Sequence, residues 1–159
     1  MTLLILGGTT EAVRLAERVA AAGVPAMISL AGRTKEPAPQ ALPIRIGGFG
    51  GVEGLKTWLR EHRTPAVVDA THPFAARISA NATAACAALG VPLCRLTRPA
   101  WAAVAGDRWI DAASAEAAAR GLPDEPARVF LTVGRVELDA FAATPQHHYL
   151  VRTIDAPDP

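Results

Sequence analysis

The sequence has little cysteine and almost no excess charge, and each scarcity narrows what the chain can be. Only two of its 159 residues are cysteine, and the formal net charge is +1. Cys86 and Cys94 lie among apolar residues and form no C-x-x-C pair. We therefore expect two reduced core thiols rather than a disulfide framework. The near-neutral charge argues against a face that binds nucleic acid.

Long apolar runs are also missing. No stretch approaches the roughly 20 apolar residues that a membrane-spanning helix needs, and no basic-then-apolar leader opens the chain. Half of the residues are nevertheless hydrophobic, which supplies a sizeable core and argues against disorder. We expect a soluble, cytoplasmic protein that binds neither membranes nor nucleic acid. The sequence leaves its oligomeric state open, with a monomer as the working expectation.

Short apolar runs alternate with helical patterns over the first two-thirds of the chain. The patterns predict helices at 11–22, 52–62 and 73–89, and strands at 3–6, 25–30, 43–46, 66–70 and 91–96. Strands that alternate with helices of this length are typical of a parallel sheet covered on both faces. The predicted fold class is therefore α/β, with a doubly wound, Rossmann-like parallel sheet.

The regular pattern ends near residue 98, where we predict a domain boundary. Residues 99–159 are expected to form a second, smaller α/β domain. Helices are predicted there at 114–120 and 136–143, and strands at 109–111, 128–133 and 148–154. So few short elements bury little surface, and we expect this second domain to be incomplete.

Unusual residue clusters follow four of the predicted strands. Ligands of doubly wound sheets bind beyond the carboxyl ends of the strands, so this placement is the main functional signal. The clusters are Gly7-Gly8-Thr9-Thr10, Gly32-Arg33-Thr34, Gly47-Gly48-Phe49-Gly50-Gly51 and Thr71-His72-Pro73.

The first cluster lies between a strand and a helix, and it has two interpretations. It either only makes a tight turn, or it binds phosphate through free backbone N–H groups and the positive end of the helix dipole. In the second case Gly8 lets a pyrophosphate come close, and Thr9 and Thr10 cap the helix or donate their hydroxyls. The stretch reads G-G-x-x-x-A, so it departs from the G-x-G-x-x-G dinucleotide fingerprint.

The next two clusters fit the same kind of ligand. In a dinucleotide-binding fold the second strand ends at the adenosine ribose, where an arginine such as Arg33 favours the 2′-phosphate of NADP. A solvated loop arginine is the alternative. The glycines at 47–51 either make a flexible turn or wrap closely around a cofactor. In the second case Phe49 would cover a ring as an apolar lid.

Several titratable side chains complete the candidate set. His72 could hydrogen-bond a ligand, act as an acid or base, or cap the next helix. No second His or Cys stands at ligand spacing, so no metal site is predicted. Arg135 follows a strand and a glycine, which predicts a second anion-friendly helix terminus. Arg14 and Arg98 lie near predicted ligand-facing ends, although for Arg14 a solvated helix position is the alternative.

Six segments, taken together and in order, resemble the precorrin-6A reductases of cobalamin biosynthesis. They are LILGGTTEA, AGRT, RIGGFGG, DATHPFAARIS, LTRPAW and LTVGR, and they span essentially the whole chain. The resemblance implies an NADPH-dependent reduction of one double bond of the precorrin-6A macrocycle, which gives precorrin-6B. It also implies two α/β domains with the polycarboxylate tetrapyrrole between them. A non-catalytic NADP(H)-binding or sensing module is the alternative.

The resemblance also implies residue roles. Residues 1–98 would be the NADP-binding domain, and 99–159 would contribute to the substrate cleft. The pyrophosphate would lie on Gly7, Gly8, Thr9 and Thr10, and the adenosine phosphate on Arg33 and Thr34. The nicotinamide end would meet Gly47, Gly48, Phe49 and Gly50. The residues expected to meet the substrate, and placed in the catalytic set, are Arg14, His72 and Arg135. A glycine- and lysine-containing stretch expected near the family's C-terminus has no counterpart here.

Overall fold

The chain forms two compact units, Met1–Ala100 and Trp101–Pro159, each with its own apolar core. The computed structural model describes residues 1–32, 39–99 and 101–153. Within these ranges no helix is both long enough and apolar enough to cross a membrane.

The first unit contains all eight elements that the sequence predicts for it, with no end shifted by more than three residues. Its helices are α1 (Thr10–Ala21), α2 (Gly51–Glu61) and α3 (Ala76–Leu89), and its strands are β1 (Leu3–Leu6), β2 (Ala26–Leu30), β3 (Ile44–Ile46), β4 (Val67–Asp69) and β5 (Leu93–Arg95). The largest shift is at α3, which begins after a turn in which the N–H of Ala75 donates to the carbonyl of His72.

The five strands of this unit form one parallel sheet in the order β3-β2-β1-β4-β5. This confirms the predicted α/β class. Parallel pairing brings the carboxyl ends of all five strands to one edge of the sheet. The strand order reverses between β1 and β4, which is the position where this fold binds its ligands.

The helices cover both faces of the sheet because neighbouring residues of a strand point to opposite sides. Ile5 of β1 packs with Ala12 and Ala16 of α1 in one core cluster. Leu4 and Leu6 point the other way, into the cluster that α2 and α3 complete. Fully burying an aliphatic side chain contributes roughly 1.5–3 kcal/mol, so both faces help to stabilise the sheet.

The second unit has a two-stranded parallel sheet. Its strands are β6 (Arg128–Leu131) and β7 (His148–Val151), and its helices are α4 (Ala115–Arg120) and a 3₁₀ helix over Arg135–Ala143. Ser114 caps α4, since its hydroxyl accepts the N–H of Ala117 at 3.2 Å. The small core consists of Ala119, Leu131 and Phe141.

Two expectations were wrong. Residues 109–111 form no strand, and Ile110 is 86% exposed because no neighbouring strand pairs with this segment among the described residues. Cys94 is exposed rather than part of the core. It lies on β5, an edge strand, whereas α1 packs over β1 and β2. Cys86 on α3 is buried as expected.

Candidate functional site

The candidate site lies at the edge where the five parallel strands end. Along this edge the segments follow the sheet order: the glycine loop after β3, Gly32 after β2, the Gly7-Gly8 turn after β1, and Thr71-His72 after β4. The sheet therefore gathers the predicted clusters at one edge. Arg33 and Thr34 lie outside the described residues.

The two glycines of the β1–α1 turn have different tasks. A Cβ on Gly7 would lie 2.8 Å from both Cγ1 and Cδ1 of Ile28, closer than real side chains approach, and 3.2 Å from Leu30. Gly7 is therefore required for packing against β2. Gly8 has a φ of +124° and nothing within 4 Å of the space that a Cβ would take. Its backbone is open to an approaching ligand, beside the first N–H groups of α1, which have no partner within the helix.

Thr9 connects the β1–α1 turn to the end of β4, the strand that lies beside β1 in the sheet. Its hydroxyl accepts the N–H of Ala12 at 3.1 Å, which makes it the N-cap of α1. The same hydroxyl donates to the carbonyl of Ala70, just after β4, at 2.7 Å. Of the two roles predicted for Thr9, the structure contains the cap. Its hydroxyl could reach a phosphate only by breaking the Ala70 bond, whereas Thr10 is exposed.

The glycine loop after β3 is held by Arg45, a residue to which the sequence analysis gave no role. The guanidinium of Arg45 donates to the carbonyls of Gly47 and Gly48, the second at 2.8 Å. It also lies 3.9 Å above the ring of Phe49, a cation–π arrangement. Burial lowers the pKa of Arg45. The available signal was an arginine two residues before the glycine run, on an otherwise apolar strand.

Phe49 is engaged within the protein. Its ring meets Trp58 of α2 edge-on, with ring centres 5.7 Å apart, and it packs against the core between the sheet, α2 and α3. Gly54 accommodates the loop, because a Cβ there would overlap the carbonyl oxygen of Phe49. These contacts give Phe49 a structural task, which is to pack the glycine loop against α2 and the core. The idea that Phe49 covers a ligand ring stays a prediction.

Asp69, the last residue of β4, shapes the loop that carries His72. Its side chain is buried, and Oδ1 accepts both the N–H of Thr71 at 3.2 Å and the hydroxyl of Thr71 at 2.7 Å. Oδ2 lies 3.5 Å from Nε of Arg95. This contact is an ion pair without hydrogen-bond geometry, so Oδ2 has no hydrogen-bond partner within the described ranges. An acid that ends an apolar strand was the signal the sequence offered.

His72 lies in the exposed turn between β4 and α3. Its Nδ1 accepts the N–H of Phe74 at 3.3 Å, so in the neutral ring the proton is on Nε2, which is free to donate. His72 does not cap α3, because the N-cap position is Ala75 and no side chain bonds there. The ligand-binding and acid–base roles remain as predictions.

One arginine of the first unit lies on α1, and another contacts its first turn. Nε of Arg98, just after β5, is 3.2 Å from Oε1 of Glu11 in the first turn of α1, which brings Arg98 to the same edge of the sheet. Arg14 is exposed one turn further along α1, and its guanidinium has no hydrogen-bond or ion-pair partner in the described part of the chain.

Arg135 belongs to the second unit, where one expectation needs correction. The 3₁₀ helix that it opens was predicted to offer an anion-friendly terminus. Instead the chain's own carboxylate is there, because Oε2 of Glu137 accepts the N–H of Gly134 at 2.8 Å.

In the residues described, no three His, Cys, Asp or Glu side chains are grouped as they would be around a metal ion.

Comparison with known proteins gives a consistent result. The model of the family "Precorrin-6x reductase CbiJ/CobK" matches residues 2–159. The precorrin-6A reductase of Rhodobacter capsulatus is 56% identical over 98% of this chain and 62% of its own length. That of a Sinorhizobium species is 49% identical over 99% of this chain and 60% of its own length.

A solved structure of a CobK precorrin-6A reductase has the same fold. It superposes with a TM-score of 0.95 at 55% identity, and the match covers 100% of this chain and 63% of that one. The chain therefore spans about three-fifths of the length of the relatives it matches.

Proposed function

This chain belongs to the precorrin-6x reductase family CbiJ/CobK, and we propose on that basis that it serves the NADPH-dependent reduction of one double bond of precorrin-6A to precorrin-6B. The observation that carries the proposal is the open Gly8 backbone at the start of α1, next to the point where the strand order reverses. Such a position suits a pyrophosphate.

A nicotinamide cofactor fits the residues present. A bound nicotinamide would supply the hydride, so the protein needs no nucleophile of its own. Gly8 would admit the pyrophosphate, while Gly7 and Thr9 would fix the turn that presents it. The exposed hydroxyl of Thr10 is available to the phosphate oxygens. Arg33 and Thr34 would bind the 2′-phosphate that distinguishes NADPH from NADH.

The sheet order supports a revised orientation of the cofactor. In this fold the adenosine ribose lies at the end of β2, and β3 lies beyond β2. The glycine loop after β3, Gly47 to Gly50, would then border the adenosine half rather than the nicotinamide end. β4 lies on the other side of β1, so Thr71 and His72 would border the nicotinamide half.

The substrate is proposed to meet basic side chains. Precorrin-6A carries many carboxylates, which arginine binds well. Arg14 and Arg98 are at or near the ligand edge of the first unit, and we keep Arg135 of the second unit as a proposed substrate contact. His72 is the proposed proton donor to the carbon next to the one that accepts the hydride; it would act as the imidazolium, which becomes a neutral imidazole and is reprotonated from solvent.

Cofactor titration tests the binding part of this proposal. We expect the chain to bind NADPH more tightly than NADH, and equal affinities would contradict the role of Arg33. Gly8→Ala should weaken NADPH binding. Gly23→Ala is the matched control, because Gly23 also has a positive φ and open space around it but follows the opposite end of α1. If both variants bind NADPH like the wild type, the pyrophosphate does not lie at Gly8.

Oxidation of NADPH in the presence of precorrin-6A tests the catalytic part. Turnover that falls in His72→Gln, with NADPH affinity unchanged, would support His72 as proton donor. If the chain binds NADPH but does not oxidise it when precorrin-6A is added, the non-catalytic binding or sensing module is the better description.

A further inference from the structure

Arg45 connects three parts of the first unit that are separate in sequence. Besides the Gly47 and Gly48 carbonyls, its Nη1 lies 3.4 Å from the hydroxyl of Ser29 on β2. Ser29 and Arg45 are register partners, so their side chains share one face of the sheet. Arg45 therefore links the glycine loop to the strand whose end meets the adenosine ribose in this fold.

The loop would be costly to order without such a link. Gly47, Gly50 and Gly51 all have positive φ, at +106°, +80° and +85°. Glycine loses more conformational freedom on folding than any other residue. Gly50 is the N-cap of α2, and no side chain bonds there. Within the described part of the chain, Arg45 supplies the only side-chain hydrogen bonds to residues 47–50.

Arg45 also sets which way the loop's peptide groups face. A trans peptide points its N–H and its C=O in opposite directions, and no peptide bond in the described ranges is cis. Since the carbonyls of Gly47 and Gly48 point at Arg45, the N–H groups of Gly48 and Phe49 point away from it. The guanidinium on the face of Phe49 fixes the third residue of the run.

We propose that Arg45 is a positioning residue that sets the affinity for the adenosine half of the cofactor by holding the 47–50 loop in its binding shape. The proposal rests on the proposed function, and in particular on the orientation that the sheet order supports. In this proposal Arg45 acts on the loop, through the contacts described above, and not on the cofactor directly. It acts by preorganisation, because a loop already ordered loses less entropy when a ligand binds.

The test measures the two halves of the cofactor separately on the full chain. Dissociation constants are determined for NADPH, for adenosine 2′,5′-bisphosphate and for nicotinamide mononucleotide. Arg45→Met should weaken NADPH and the bisphosphate about tenfold and leave the mononucleotide unchanged. Arg45→Lys should restore part of the loss, since an ammonium still donates to carbonyls. Arg60→Met, at an exposed position on α2, is the matched control and should bind all three like the wild type.

The outcomes are distinct. Unchanged affinity for the bisphosphate in Arg45→Met, or an equal loss for both halves, would overturn the inference, because the second result indicates a general loss of structure. If Arg45→Met does not fold, the same comparison is made with Arg45→Lys. A wild-type chain that binds no NADPH would instead refute the proposed function.

Discussion

Replacing Thr9 by valine should destabilise the first unit, and the structure indicates by how much. Valine keeps the shape of threonine but cannot accept the N–H of Ala12 or donate to the carbonyl of Ala70. Loss of an N-cap side chain costs about 1 kcal/mol. Leaving the carbonyl of the buried Ala70 without this donor costs about 1 to 1.5 kcal/mol more. The free energy of unfolding should therefore fall by roughly 2 to 2.5 kcal/mol.

Urea unfolding followed by far-UV circular dichroism measures this loss. A change of this size is a large part of the roughly 5–15 kcal/mol that stabilises a typical domain, so the midpoint should move clearly while the slope stays the same. Thr9→Ser keeps the hydroxyl and should retain most of the stability. Thr10→Val, at the exposed neighbouring position, should change it by less than about 0.5 kcal/mol. If Thr9→Val is as stable as the wild type, or Thr9→Ser is as unstable as Thr9→Val, the reasoning is wrong.

Three further changes test other contacts by the same unfolding measurement. Replacing glycine by alanine inside an ordinary helix stabilises it by about 1 kcal/mol. Gly54→Ala should instead destabilise the protein, because its Cβ would overlap the carbonyl oxygen of Phe49. Asp69→Ala should lower the free energy of unfolding by about 2 kcal/mol, since both donors of Thr71 lose their acceptor. Burial raises the pKa of Cys86, so the folded state keeps a thiol proton that the unfolded chain loses above about pH 8.5. Stability should therefore fall as the pH rises from there, and less steeply in Cys86→Ala.

Each of these changes has a control within the chain. Thr57→Ala, at an exposed position of α2, should be neutral or stabilising, and an equal effect at Gly54 would show that no overlap exists there. Arg95→Met should cost less than Asp69→Ala, because Arg95 is 56% exposed and meets only Oδ2. Equal losses would mean that the ion pair, and not the Thr71 bonds, stabilises the turn. Parallel alkaline slopes for wild type and Cys86→Ala would remove Cys86 as their source.

Most of the first unit could be predicted because its signals are local. Apolar runs and helical spacing indicate each element, and alternation of strands with helices indicates parallel pairing. The ends of the elements were less accurate, since they depend on hydrogen bonds such as the turn from His72 to Ala75 that delays α3. The segment at 109–111 failed because a strand exists only where a neighbour pairs with it, and a single segment does not reveal that neighbour.

In the candidate site, too, local features could be predicted and contacts between neighbouring strands could not. The open turn at Gly8 follows from a strand, a glycine pair and a helix in sequence. The full tasks of Arg45 and Asp69 do not, because each combines local hydrogen bonds with a partner on a neighbouring strand of the sheet. Arg45 acts on its own loop but is supported by Ser29 of β2, and Asp69 is paired with Arg95 of β5. Neither partner can be identified before the strand order is known.

The tight fit at Gly7 has a consequence for how this family can vary. The space that a methyl group would need there is filled by Ile28 and Leu30 of the adjacent strand. A homologue with alanine at position 7 should therefore carry a shorter residue at position 28. The two sites would be expected to co-evolve, whereas position 8, which meets no neighbour, should be constrained only by its backbone angle and by whatever approaches from outside.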